Sequence, residues 1–136
     1  MITFILDSSA VLRFIHKQAG WDRVAEVLEE NLCGLCNVTL SAIQWGEIAG
    51  TMRKDAGPSG ESRALRALSE LLITVVPVAP EQAVRAAEVK VDRRISYADA
   101  FALELAMRTP EHILLTADFG FKAVDDLARI EYLPAK

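Results

Sequence analysis

Cysteine, histidine and surplus positive charge are all scarce in this chain. It has two cysteines and two histidines in 136 residues. So few cysteines exclude a disulfide scaffold, and a domain of this size buries about two-thirds of its unfolded surface without staples. Cys33-Gly34-Leu35-Cys36 has the CxxC spacing, but a zinc site would need two more ligands, and only His16 and His112 exist, far away in sequence. A thioredoxin-type pair opens a helix, whereas this one closes a helical stretch and enters a strand-like one. A structural role is expected for both cysteines. His16 reads as a helix-end residue and His112 as a strand-start residue.

Fifteen Lys and Arg against nineteen Asp and Glu give a net charge of −4. That excludes a protein that grips nucleic acid mainly through a broad basic face, while leaving open an enzyme that gathers carboxylates at its site. Long apolar runs are missing too. The longest, Leu71 to Ala79, contains Thr74 and Pro77 and falls far short of the roughly 18 residues a membrane helix needs. Met1–Leu6 is apolar, yet no positive region precedes it and Asp7 interrupts it, so it does not read as a signal peptide. A cytoplasmic protein with no membrane partner is expected.

What is present is a core. At 51% hydrophobic and 25% charged, residues 1–136 read as one folded domain. Ile2–Leu6 is a continuous apolar run, as in a strand buried on both faces. Asp7-Ser8-Ser9 starts a helix over Ala10–Lys17, Gly20 breaks it, and Trp21–Leu32 forms a second. Leu35–Leu40 reads as a strand, and Ser41 caps a long helix. Ala56-Gly57-Pro58-Ser59-Gly60 reads as a loop, followed by an amphipathic helix through Leu65, Leu68 and Leu72. Thr74–Val78 is a strand, Pro80 opens a helix to about Arg94, and Ser96 opens another that is apolar nearly all round. His112–Thr116 and Ala128–Leu133 read as strands, with a short helix at Phe119–Asp126 between them. This alternation predicts a three-layer α/β/α fold around a mostly parallel sheet of about five strands. In such sheets ligands bind beyond the carboxyl ends of the strands, where strand order reverses. Asp7 follows the first strand and Asp118 the fourth.

Two further acids stand in unusual company. Glu47 lies in the helix Ser41–Gly50, which carries little other charge, and Asp99 lies in the first turn of the apolar helix that Ser96 begins. A carboxylate in apolar surroundings is costly unless it is paired or ligates a metal. Each also has a simpler explanation. Asp7 and Asp118 suit helix caps, Asp99 suits a capping-box start, and a lone helical Glu is usually solvated.

Leu6-Asp7-Ser8-Ser9-Ala10, Glu47 after the Ser41-led helix start, Tyr97-Ala98-Asp99-Ala100 and Leu114-Leu115-Thr116-Ala117-Asp118 together resemble the PIN domains. Within that family they are similar to the VapC-type toxins of toxin–antitoxin pairs, over residues 2 to 133. The resemblance implies a parallel sheet whose first and fourth strands are neighbours, so that Asp7 and Asp118 meet at the switch point. It implies a divalent metal, magnesium or manganese, and hydrolysis of single-stranded or structured RNA. On this reading Asp7, Asp99 and Asp118 are direct or water-mediated ligands, and Glu47 ligates or orients the attacking water. Ser9 and Thr116, each two residues from an acid, support the carboxylates. Hard oxygen donors suit magnesium, which keeps several waters and needs few carboxylates. Arg13, Lys17, Arg93, Arg94 and Lys122 flank the acids in sequence and are candidate phosphate contacts, with ordinary surface charge as the equal alternative.

The resemblance further implies a cognate antitoxin that lays a segment along a groove, with the Ser41–Asp55 and Glu61–Ile73 helices as clamp elements, and a homodimer. Two rival readings stand beside it. One is a PIN-fold module that binds RNA or protein without cutting, against which the full set of four acids argues. The other is a phosphohydrolase of the haloacid-dehalogenase type, which would want an Asp where Ser9 stands.

Overall fold

Five short strands alternate with helices, as a parallel sheet requires, because parallel neighbours cannot be joined by a tight turn. The computed structural model describes all residues, Met1–Lys136. In chain order they form β1 (Thr3–Leu6), α1 (Ser8–Ile15), α2 (Trp21–Leu32), β2 (Asn37–Ser41), α3 (Ala42–Ser69) and β3 (Thr74–Val76). Then follow α4 (Pro80–Arg93), α5 (Tyr97–Met107), β4 (His112–Thr116), a 3₁₀ helix (Phe119–Val124) and β5 (Arg129–Tyr132).

The strands lie in the order β3-β2-β1-β4-β5, every pair parallel. Strand β1 pairs with β2 on one side and with β4 on the other, Leu6 opposite Leu115. That is the reversal of strand order, so the residues after β1 and β4 flank the ligand-binding crevice of this architecture. Alternation of side chains builds the two core layers. Phe4, Leu6, Val38, Leu40 and Leu115 pack toward α1, α2 and α3, while Ile5 and Leu114 pack toward α5 and Phe121. The arrangement is the expected three-layer α/β/α sheet fold.

Several boundaries differ from the sequence reading. Strand β2 starts at Asn37 and not at Leu35, because Gly34 turns the chain at φ +76° and leaves Leu35 70% exposed. Strand β3 stops at Val76, just before Pro77, which lacks the N–H a longer ladder would use. The expected loop at Ala56–Gly60 is a kink within α3. Only Gly57 leaves helical geometry (φ +71°, ψ −177°), a region essentially reserved for glycine. Pro58 then stands where a restarted helix needs no backbone donor. The kink drives the two halves close: a Cβ at Gly60 would lie 2.3 Å from that of Ala56. In an ordinary helix Gly→Ala gains up to about 1 kcal/mol, but overpacking costs about 1–3 kcal/mol. Gly60→Ala is therefore expected to lower the melting temperature by a few degrees in a thermal melt.

The CxxC pair divides between surface and core. Cys33 caps α2 and is exposed, whereas Cys36 is buried with its Sγ 3.6 Å from the Val27 carbonyl. Burial pushes the Cys36 thiol up, so it is a poor nucleophile. Brief iodoacetamide treatment at neutral pH should alkylate Cys33 and spare Cys36 until the protein is unfolded, as read by peptide mass spectrometry. Equal labelling of both in the native protein would contradict the packing.

Candidate active site

Asp7 reaches the carboxyl end of the sheet because β1 ends at Leu6, and it caps α1 there. Its Oδ1 accepts from the Ala10 N–H at 3.0 Å and from Ser9 Oγ at 2.7 Å, and its Oδ2 accepts from Thr116 Oγ1 at 2.7 Å. Ser9 Oγ also accepts from the Ala117 N–H at 2.9 Å, and Thr116 Oγ1 from the Asp118 N–H at 2.9 Å. This network stitches the start of α1 to the end of β4 across the switch point. Ser9 and Thr116, singled out for their spacing from Asp7 and Asp118, are thus both bonded to Asp7.

Asp7 is only 3% exposed and no cation pairs with it. Ion pairs form elsewhere, as between Arg23 and Glu131, Arg93 and Asp126, and the arginines Arg85 and Arg108 with Glu104. Burial pushes the Asp7 carboxyl up to about 6, against the pull of its bonds to Thr116, Ser9 and Ala10, and the charge of Asp99 pushes the same way.

The other three acids arrive by separate routes. Asp99 lies in the first turn of α5, its N–H donating to the capping Ser96 Oγ at 3.1 Å. Burial raises its carboxyl, the charges of Asp118 and Glu47 add to that, and the Ser96 hydroxyl pulls it back. Asp118 caps the 3₁₀ helix, its Oδ1 accepting from the Gly120 N–H at 2.8 Å. Glu47 accepts from Ser8 Oγ at 3.1 Å, which ties α3 to α1. The cap explanation therefore holds for Asp7 and Asp118, and Asp99 stands where a capping-box start places it, three residues after the capping Ser96. Capping does not exhaust the four acids, since the mutual push of their charges places them in one another's field.

Two supporting residues escaped the sequence reading. Ser8 belonged to a cluster read only as a helix start. Gln44, 1% exposed and one turn before Glu47, donates Nε2 to the Ala98 carbonyl at 2.7 Å. It fastens the helix of Glu47 to the turn that carries Asp99. A buried glutamine on an apolar helix face was the available signal.

No three of the carboxylates close into a ready-made metal cage. The donors are nonetheless all hard oxygens, and Asp7 is an uncompensated buried carboxylate. Such a set suits a cation that retains much of its water.

The candidate phosphate contacts fare unequally. Arg13 is buried, and its Nη1 donates to the Ala19 carbonyl at 2.6 Å and the Pro134 carbonyl at 2.8 Å. It still lines a cavity of about 510 Å³ with Ser9 and Asp118, but its fork pins the C-terminal segment. Arg93 is committed to Asp126, at 2.6 and 3.1 Å, and to the Ala123 carbonyl. It lines a different cavity that none of the four acids reaches. In both the fold engages donors, Nη1 of Arg13 and both Nη atoms of Arg93, and of the two only Arg13 lines a cavity with Ser9 and Asp118. Arg94 ends α4 in a left-handed conformation, and Lys17 lies over the Trp21 ring. Lys122 alone sits in the helix that Asp118 caps.

Comparison with known proteins agrees with this geometry. A family model described as the PIN domain matches residues 4–127. Among solved structures, VapBC2 from Rickettsia felis bound to a promoter DNA fragment superposes with a TM-score of 0.76 at 15% identity, covering 98% of this chain and 100% of that one. DNA-bound VapBC from Salmonella typhimurium gives 0.72 at 14% identity, covering 97% and 98%. The sarcin–ricin loop cleaving toxin VapC20 from Mycobacterium tuberculosis gives 0.66 at 17% identity, covering 89% and 94%. No curated protein matches the sequence. With the family model spanning nearly all of the chain and the sheet order placing β1 beside β4, the chain belongs to the PIN-domain family.

Proposed function

We propose that this chain is a divalent-metal-dependent endoribonuclease and the toxin half of a toxin–antitoxin pair. The observation that carries the reading is Asp7: a buried carboxylate, fixed by two hydroxyls and a backbone N–H, with no cation beside it and the charge of Asp99 acting on it, while Asp118 and Glu47 act on Asp99 in turn. Folding such a group uncompensated costs stability, which makes sense where a cation completes it.

Asp7, Asp99 and Asp118 would hold magnesium or manganese. When bound, that ion supplies charge neutralisation at the phosphoryl oxygens and makes water more acidic. The chain's own work is positional. Ser9 and Thr116 fix both oxygens of Asp7. Gln44 holds the turn of Asp99, and Ser8 steadies Glu47, which would take the proton of the attacking water. The site contains no cysteine, histidine or lysine nucleophile among its hydrogen-bonded members, so water is the candidate attacker.

The structural neighbours that are VapBC complexes support an antitoxin as partner, and a homodimer is part of the same reading. No helix is long and apolar enough to cross a membrane, which is compatible with the proposed place in the cytoplasm. Purified protein incubated with total cellular RNA and magnesium should produce discrete cut ends, and chelator should abolish them. RNA that binds but stays intact at every magnesium or manganese concentration would instead establish a non-catalytic binding module.

A further inference from the structure

Beside Asp118 the chain presents an aromatic pair in which an exposed Phe119 is backed by Tyr132, itself partly buried against the core layer of Ile5, Leu114 and Phe121. Phe119 follows Asp118 directly and is 41% exposed. Its ring centroid lies 5.6 Å from that of Tyr132, with the planes 17° apart. Tyr132 stands opposite Thr116 in the β4–β5 ladder, and Thr116 is the residue that holds Asp7. Lys122 Nζ lies 5.3 Å from the Phe119 centroid and 5.5 Å from that of Tyr132. The Tyr132 hydroxyl is buried and has no partner, so the ring and not the hydroxyl faces Phe119.

We propose that Phe119 and Tyr132 form a stacking platform for a nucleobase next to the scissile phosphate, with Lys122 contacting a phosphate of the same strand. This rests on the ribonuclease reading and adds the place where an unpaired base of the substrate would lie. Bases inside a duplex are already stacked and cannot lie on a protein ring, so a platform selects unpaired ones. The charge of the chain argues the same way. At net −4 it lacks the basic face that usually supplies affinity for a polyanion, so sequence-tolerant stacking must carry a large share. The two rings have neighbouring planes, and the cation beside them suits a base with its phosphate better than an aliphatic side chain.

The test uses mixed-sequence single-stranded RNA carrying 5-iodouridine, bound to Asp99→Asn protein so that nothing is cut. Phe119→Leu keeps an apolar side chain but removes the π-face. It should weaken binding roughly 5- to 150-fold, the range set by the loss of one stacked base. Phe119→Trp should retain the affinity, and photocross-links should map to Phe119 or Tyr132. In the cleaving protein, Phe119→Leu should raise KM far more than it lowers kcat. Unchanged affinity in Phe119→Leu, with cross-links elsewhere, would overturn the platform even if the wild type cuts RNA. Binding and cross-linking at Phe119 without any cleavage would overturn the nuclease reading and leave the platform standing. Failure to bind RNA at all would overturn both.

Discussion

Replacing Asp7 with Asn is expected to cut metal-dependent RNA cleavage by roughly two to three orders of magnitude while making the metal-free protein more stable at neutral pH. The loss of activity follows from removing a charge that a cation and the developing phosphoryl charge both require. The gain in stability follows from burial. The folded carboxyl titrates at about 6 against 3.8 for the free side chain, so the folded state binds its proton more tightly. Stability is therefore highest below pH 3.8 as far as this group is concerned, and it falls as pH rises from there to about 6. Above that the penalty is complete, at about 3 kcal/mol for a rise of this size. Asn has the same shape and keeps the cap on α1, since Asn and Asp cap equally well. It exchanges one acceptor for a donor, so one of the two hydroxyl bonds must reverse. A net gain of about 1–2 kcal/mol remains, or several degrees in melting temperature. Melts in chelator at pH 7.5 and at pH 4 should show the variant ahead at the higher pH and the gap closing at the lower. A variant that melts below the wild type at pH 7.5 would mean that the buried carboxylate is favourable as it stands and needs no cation.

The strands and helices were legible because they follow from periodicity and from residues with a single strong local preference, whereas the pairing of β1 with β4 was implied only by the family resemblance. Apolar runs followed by Asp or Ser mark strand ends and caps, and β1, α3, α5 and β4 all begin or end where such residues stand. Gly57-Pro58 misled because the same pair suits a loop or a sharp kink, and only the packing of Ala56 against Gly60 decides between them. Asp7 and Asp118 stood out as acids that follow strands, and Glu47 and Asp99 as carboxylates in helices otherwise short of charge. The structural contacts of Arg13 and Arg93 were not legible, because an arginine that pins a carbonyl looks in sequence like one that meets a phosphate. The choice depends on Ala19, Pro134 and Asp126, residues 6 to 121 positions away in the case of Arg13 and 33 in the case of Arg93. Gln44, Ser8 and the Phe119–Tyr132 pair were hidden for the same reason: each acquires its role from a partner on another element.

Asp99→Asn separates a shared cation site from a set of independent caps. Asp99 is half-buried and feels Asp118 and Glu47, both of which raise its carboxyl together with burial. Removing its charge relieves that repulsion and also relieves Asp7, which Asp99 pushes up. In chelator the variant should melt higher than the wild type, by a few degrees for about 1 kcal/mol in a domain of this size. The opposing effect is the loss of a negative charge from the first turn of α5, worth about 0.3–1 kcal/mol. It is limited here because Ser96, and not Asp99, caps that helix. Magnesium reverses the order. At ten times its dissociation constant a ligand of the folded state adds about 1.4 kcal/mol, and the wild type, with its full set of acids, binds it more tightly than the variant. The melting curves should therefore cross as magnesium is added, wild type below the variant in chelator and level with it or above at millimolar ion. If Asp99→Asn melts lower in chelator and magnesium moves neither protein, the dipole interaction outweighs the repulsion. Asp99 is then a helix-start residue and not a ligand, and a magnesium site at these acids is refuted with it.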